Sequence, residues 1–327
     1  MGVKGFSKTF TPELTSFKKL KGLSVSVDAS VYMYKAALGA NSMHTLTDAE
    51  GNPTIHLSVI LAKVLNLTLC GIKQVWVFDY HEAGYSPPDK ELELAIRQKK
   101  RDLAKKKLDE LKEKKEKSDD MFSSDDDDEA KKCSLEKRCF TITSDIVNEC
   151  KFVLDCLGVT WITAPKWSEA EHACAEMTNK SICDAVLSTD IDSLIYGAKK
   201  LVREVTVKRK RVLQLYDLND ILTDNDLTMK SLRKIAVILG TDHAPKTPGI
   251  GPGTALKKQS NVILTEKQEH AIKVFEKECV LPTVEMGEVG QNRESIMKLL
   301  DWMSELKGFN RKKLITKIQK VYKGDLV

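Results

Sequence analysis

The residues best suited to chemistry lie between Ser168 and Asp192. Ser168-Glu169-Ala170-Glu171 and Thr189-Asp190-Ile191-Asp192 each carry two carboxylates at i,i+2 spacing. Side chains two apart on a regular helix point to different sides, so such pairs converge only where an element begins or ends. Crowded carboxylates repel, and they are protonated or costly unless cations hold them. The stretch therefore points to a divalent metal site. The same residues also have a structural reading. Ser168-x-x-Glu171 is a capping box, and Thr189, Asp190 and Asp192 suit a helix cap. Further acids at strand ends would decide between the two.

The chain supplies them. Leu23 to Val27 reads as a buried strand that delivers Asp28, followed by a helix from about Ser30 to Leu38. Ile55 to Leu69 has helical length, and Val75 to Phe78 is a second buried strand ending in Asp79. Strands joined through helices imply a parallel α/β sheet, in which function collects beyond the carboxyl ends of the strands. A helix from Ser144 to Leu157 precedes a third strand, Val159 to Thr163. A fourth, Ala185 to Ser188, leads into Asp190. Leu201 to Val207 and Val212 to Leu215 form a hairpin around Lys208-Arg209-Lys210-Arg211, which is a nuclear-localisation patch, a phosphate contact or a solvated turn. An amphipathic helix from Leu227 to Leu239 ends at Gly240, with Asp242 just beyond. Gly249-Ile250-Gly251 then opens a helix to about Gln259, a pattern that lets backbone N–H groups approach a phosphate. From Thr265 the chain reads as helical with a basic end.

Charge is unevenly spread. Net charge is only +5, but Arg97 to Lys117 carries eleven Lys or Arg against five acids. Ser118 to Glu129 then turns acidic, and the segment 118–132 is expected to be disordered. Hydrophobic residues make up 42% of 327 residues, enough for a large core. The eight cysteines include no C-x-x-C pair, so reduced thiols in an intracellular protein are expected. No apolar run is long enough to span a bilayer, and no membrane partner is expected. Met1-Gly2 invites a myristoylation reading, but Phe6 stands where Ser or Thr is wanted.

Asp28, Asp79, Glu169, Glu171, Asp190, Asp192 and Asp242 thus all fall at the ends of expected elements. Oxygen-rich, nitrogen-free ligation favours Mg²⁺ or Mn²⁺ over Zn²⁺. Two such ions roughly 4 Å apart suit in-line hydrolysis of a phosphodiester. Basic residues beside the cleft would bind and steer a polyanion.

With these residues assembled, the chain resembles the structure-selective 5′ nucleases of the flap endonuclease and XPG superfamily, above all the eukaryotic and archaeal flap endonucleases. The matching motifs are Met1-Gly2-Val3-Lys4-Gly5, Val27-Asp28-Ala29-Ser30, Val77-Phe78-Asp79, Ser168-Glu169-Ala170-Glu171-His172-Ala173, Thr189-Asp190-Ile191-Asp192, Leu239-Gly240-Thr241-Asp242 and Gly249-Ile250-Gly251-Pro252. The resemblance implies a PIN-like α/β fold: a mixed, mostly parallel twisted sheet with helices on both faces, a helical gateway and cap, and a helix–turn–helix unit similar to a helix–hairpin–helix. It divides the chain into a nuclease core at 1–89 and 139–259, a gateway and cap at 90–138, the helix–turn–helix at 228–259, and a helical extension at 260–327.

The resemblance also assigns roles. Asp28, Asp79, Glu169 and Glu171 match acids around a first metal, Asp190 an acid near both, and Asp192 and Asp242 those of a second. Lys90 and Arg97 match basic residues that engage the scissile phosphate. Tyr34 matches an aromatic that stacks near the unpaired nucleotide; its structural alternative is a buried helix residue. Gly2 matches a chain start that packs close to DNA. Gly249 and Gly251 match the duplex-gripping turn, where K⁺ is often bound, and Lys257 or Lys258 would replace a lysine usual after Gly251-Pro252. His172 and His243 read as supporting residues. The implied activity is Mg²⁺-dependent cleavage of 5′ DNA flaps or junctions in replication and repair, by a monomer. The alternatives are a 5′-3′ exonuclease or bubble cutter, a PIN-like ribonuclease, or a non-catalytic DNA scaffold. The sliding-clamp motif common at the C-terminus is missing, which puts docking on a clamp in doubt. The expected location is the nucleus, or a cytoplasmic replication site for a viral version. The loop after Asp79 is longer than usual, and the acidic run is not a family feature.

Overall fold

A computed structural model describes residues 3, 5–6, 9–39, 46–80, 91–117, 126–207, 210–322 and 324–326. Gly2, Lys90, Lys208 and Arg209 lie outside them. In chain order the elements are β1 (Glu13–Thr15), β2 (Ser24–Asp28), α1 (Ala29–Gly39), α2 (Ile55–Leu69), β3 (Lys73–Phe78), α3 (Glu91–Lys117), α4 (Asp126–Cys139), α5 (Ser144–Leu157) and β4 (Trp161–Thr163). They continue with α6 (Ala170–Asn179), β5 (Ala185–Leu187), α7 (Asp192–Ile195), β6 (Lys200–Val207), β7 (Lys210–Asp217), α8 (Leu218–Asp224), α9 (Met229–Leu239), α10 (Pro252–Lys258), α11 (Glu266–Phe275), α12 (Arg293–Asp301) and α13 (Arg311–Ile318).

The seven strands form one sheet in the order β1-β7-β6-β5-β2-β3-β4. Strands β4, β3, β2, β5 and β6 are parallel, while β7 and β1 close one edge antiparallel. The core strands read as continuous apolar runs because both faces are covered, as parallel sheets require. Alternation sorts them: Val75, Val77 and Val186 face one core with Ala173, Met177, Ile235 and Phe275. Trp76, Phe78, Val25, Val27 and Leu187 face the other with Leu57, Ile60, Leu154 and Leu299. The register of β2 is pinned at its start, where Asp184 Oδ2 accepts from the Ser24 N–H and hydroxyl, each at 2.7 Å.

Strand β2 lies between β3 and β5. The chain leaves β2 toward β3 and β4, then returns to build β5 on the other side, which makes this the topological switch point of the sheet. The carboxyl end of β2 is level with its neighbours: Asp28 pairs with Val77, and Val27 with Leu187.

Four features depart from expectation. Helix α4 begins at Asp126, inside the segment expected to lack structure; residues 118–125 lie outside the described ones. Acidic residues complement the positive end of a helix dipole, and α4 gains a partner by packing on α3. Strand β1 was not anticipated: it is three residues long, and its pairing with Leu213 to Leu215 is a tertiary fact. Helix α8 was missed as well; Asp217 caps it by accepting from the Asn219 N–H. Finally, the chain is not continuously helical after Thr265, because an irregular stretch separates α11 from α12.

A polar network ties α2, α5 and the C-terminal helices together. His56 Nε2 meets Glu149 Oε2 at 2.7 Å, and Lys307 Nζ reaches Glu149 at 2.5 Å and Asp48 at 3.4 Å. Burial alone would raise the Glu149 pKa, but hydrogen bonds from His56 and Lys307 outweigh it and hold the carboxyl below its usual range. A depressed carboxylate stabilises the fold above its unfolded pKa and loses that contribution as pH falls through the folded value. Glu149→Gln should therefore cost about 1–2 kcal/mol at pH 7, a figure discounted for partial exposure. The cost should begin to shrink near the ordinary glutamate pKa of about 4.3 and vanish only at pH below the lowered folded value. Urea melts of both proteins at several pH values check this; an equal cost at low and neutral pH would refute it.

Candidate active site

The sheet brings the acids together. Asp28 ends β2, Asp79 follows β3, Glu169 and Glu171 open α6 after β4, and Asp190 and Asp192 follow β5. A cleft of about 200 Å³ at the switch point is lined by Asp28, Asp79, Glu169, Glu171, Asp190 and Asp242, with Ser30, Val31, Tyr34, Arg97 and Ala170. Six of the seven acids line it. Asp192 is buried just behind, its Oδ1 accepting from the Val3 N–H at 3.1 Å.

The protein offsets part of the charge with its own donors. Asp28 accepts from the Val31 N–H at 3.4 Å and the Ser188 hydroxyl at 3.3 Å. Asp79 accepts from the Ala170 N–H at 2.9 Å and from the Ser30 hydroxyl. Asp190 Oδ1 accepts from the N–H groups of Ile191 at 2.7 Å and Asp192 at 3.4 Å. The Tyr196 hydroxyl donates to Glu169 at 3.4 Å. These donors do not suffice. Burial, followed by the charge of Asp79, pushes Asp28 up to about 8. Burial and the neighbouring aspartates raise Glu171 and Asp192 well above the carboxylate range, and burial raises Asp190.

The capping box read at Ser168 does not form. Glu169 is the N-cap of α6, its side chain makes no capping bond, and the donor at Ala170 is met from across the sheet by Asp79. Ser168 instead hydrogen-bonds near Cys279, lowering that thiol against the upward pull of burial. Both glutamates are thereby left to face the cleft.

The basic residues lie on one side. Arg97 in α3 donates to Asp242 Oδ2 at 3.3 Å. Tyr34 is half-buried at the cleft rim, 6.1 Å edge-on to Phe140. Beyond Tyr34 and Arg97 opens a second cavity of about 560 Å³ between α3 and α4, lined by Lys100, Arg101, Lys107, Lys137 and Arg138. The segment between α9 and α10 carries Asp242 and, further on, a Gly-rich turn. Gly249 has φ +74°, and a Cβ at Gly249 or Gly251 would meet nothing within 4 Å, so the turn's backbone is open to a ligand. Lys257 and Lys258 are exposed in the last turn of α10. His172 stacks on Tyr196 at 4.4 Å, burial lowers its pKa to about 4, and His243 packs edge-on against Phe275. Both histidines support the acid-bearing elements.

Comparison with known proteins agrees with this geometry. The XPG N-terminal domain matches residues 1–104 and the XPG I-region matches 158–242. Flap endonuclease 1 of Caldivirga maquilingensis is 35% identical over 278 residues, covering 79% of this chain and 73% of its own. The chain belongs to the flap endonuclease family. The solved flap endonuclease-1 of Methanococcus jannaschii has the same fold, with a TM-score of 0.71 at 23% identity over 98% of both chains. The catalytic core of Rad2, solved with a DNA substrate, matches with a TM-score of 0.68 at 21% identity over 98% of this chain and 100% of its own.

In this nuclease the donor set fits hard divalent cations: every candidate ligand is a carboxylate oxygen, and Asp28, Asp190 and Asp192 are buried and short of compensating charge. Among the described residues no three acids meet in a ready-made cage. They surround a cleft instead, which suits Mg²⁺, an ion that keeps several waters. Ser30, Ser188, Tyr196 and the Val3 N–H escaped sequence reasoning. Ser30 and Ser188 stand beside the motifs, but nothing local marks which carboxylate each would bond. The Val3 contact spans 189 residues.

Repulsion among these acids gives a test. Asp192→Asn keeps the Oδ1 acceptor for Val3 and removes a charge near Glu169, Asp190 and Asp242. In chelator the variant should melt a few degrees above the parent, and it should lose most of the stabilisation that Mg²⁺ gives the parent. A variant less stable in chelator would contradict the electrostatic account.

Proposed function

We infer that this nuclease is a structure-specific 5′ flap endonuclease, cutting DNA near single-strand/duplex junctions in replication and repair. The reading rests chiefly on one observation. The carboxylate cleft at the switch point opens directly against a basic helical wall, joined to it through Arg97 and Asp242. A cleft that binds cations with its acids and a polyanion with its rim suits phosphodiester hydrolysis. Among the relatives, the Rad2 core is bound to DNA, which supports DNA as the partner.

Asp28, Asp79, Glu169, Glu171, Asp190, Asp192 and Asp242 would hold two Mg²⁺, with Mn²⁺ able to substitute. When bound, the cations supply Lewis acidity for the attacking water and the leaving oxygen. The chain's own residues do the rest. The Ser30, Ser188 and Tyr196 hydroxyls fix the orientation of Asp79, Asp28 and Glu169. Arg97 is held at the cleft mouth by Asp242, ready to exchange that carboxylate for a phosphate of the substrate, where its fork would stabilise developing negative charge. Lys90 would add a second positive charge. Tyr34 offers a stacking face to an unpaired base. The open turn at Gly249 and Gly251, with Lys257 or Lys258, would grip a duplex phosphate, and K⁺ would bind there. The working form would be a monomer at nuclear, or cytoplasmic viral, replication sites.

Labelled flap, nicked, bubble and single-stranded substrates, each with and without Mg²⁺, test the assignment. The flap should be cut fastest and only with the metal. Asp190→Ala should abolish cutting while leaving DNA binding largely intact; retained cutting would refute the site. Arg97→Ala should lower kcat by about 100-fold or more, with a much smaller change in flap affinity.

A further inference from the structure

Trp167 has no part in the site as described, yet it sits two residues before Glu169 in the loop from β4 to α6. Three observations set it apart. It is 61% exposed, the only tryptophan among the exposed large hydrophobic residues that the structure describes. Its φ is +74°, a left-handed conformation that a bulky side chain adopts only at a cost. It also shares a cation with a second aromatic: Lys166 Nζ lies 5.9 Å from the Trp167 ring centroid and 5.7 Å from that of Tyr80. Tyr80 directly follows Asp79. Two residues of chain span no more than about 7 Å, so the backbone of the cluster lies next to Asp79 and Glu169, while its three side chains are outside the cleft lining.

Burial does not account for this exposure. An exposed indole contributes little burial, and a strained backbone opposes the fold. Strain of this kind persists where a side chain must be presented in a set direction, commonly beside an active site. The chemistry on offer is two ring faces and one positive charge. That combination recognises single-stranded nucleic acid, whose bases stack on aromatics and whose phosphates attract lysine. Within a duplex the base faces are stacked on one another, and only its ends expose one.

We propose that Tyr80, Lys166 and Trp167 form a stacking platform that binds a nucleotide of the single-stranded arm beside the catalytic cleft. Trp167 is a positioning residue that stacks a base, and Lys166 supplies the phosphate contact. The platform belongs to the loops after β3 and β4, whereas Tyr34 and Arg97 are on α1 and α3. It is therefore a separate contact from theirs. The inference rests on DNA being the substrate.

The test reads binding apart from cutting. The probe is oligo(dT), with a blunt duplex as control, in chelator so that nothing is cleaved. Oligo(dT) should quench tryptophan emission in the parent and much less in Trp167→Phe, because Trp76 is buried and Trp161 and Trp302 are half-buried against Phe78 and Phe152. Trp167→Ala should bind oligo(dT) and a long-flap substrate about tenfold more weakly, Trp167→Phe should recover most of that loss, and duplex affinity should stay unchanged in both. Lys166→Ala should weaken single-strand binding and flatten its salt dependence. Trp167→Gly separates presentation from structure: relief of the left-handed strain should raise the melting temperature while single-strand binding falls. Unchanged oligo(dT) affinity in Trp167→Ala would overturn the proposal, as would equal weakening on duplex or a lower melting temperature in Trp167→Gly. If the parent binds neither DNA, the nuclease reading itself fails, and that result differs from each of these.

Discussion

Mutual repulsion among carboxylates at the switch point of the sheet is the constraint on which the rest of this structure depends. Asp28, Glu171, Asp190 and Asp192 are drawn from water into one place, and their raised pKa values measure how unfavourable that is as anions. Backbone N–H groups and the hydroxyls of Ser30, Ser188 and Tyr196 offset part of the charge. The remainder is charge that the protein's own donors leave unbalanced and that bound cations would offset. A site fully satisfied by its own donors would be more stable and would bind metal poorly.

The same charge organises the surroundings. Arg97 reaches from α3 to Asp242, so the basic helix is tied to the acids. The chain start is recruited too: the Val3 N–H bonds Asp192, and a Cβ at Gly5 would lie 2.6 Å from Pro252 in the α9–α10 unit. The start of α10, the acid cleft and the chain start are thus in direct contact. Displacement of any one would move a carboxylate or its donor. The Lys166–Trp167 loop adds a further, strained segment that ends at Glu169.

Much of the fold was legible because the parallel strands are buried on both faces, which writes them as unbroken apolar runs such as Val75-Trp76-Val77-Phe78. Helices α2 and α5 could be bounded to the residue from the extent of their apolar or amphipathic spans. Strand β1 was illegible for the opposite reason: Glu13-Leu14-Thr15 has no pattern of its own and is a strand only because β7 offers a free edge. Helix α4 was misread at its start because its acidic run resembles a disordered linker in composition, whereas packing against α3 decides its state.

Sequence alone determined the kinds of groups available and the ends of the elements that carry them, because local periodicity places Asp28, Asp79, Glu169, Glu171, Asp190, Asp192 and Asp242 at termini. It could not say which meets which. At Ser168 local rules favoured a capping box, and the sheet overruled them by bringing Asp79 to the Ala170 N–H from 91 residues away. The pairings Arg97–Asp242 and Val3–Asp192 likewise exist only once β2, β3 and β5 lie side by side. Hydrogen bonds and charges act over a few ångströms of space, not along the chain, so only the tertiary structure decides how seven separate acids become one site.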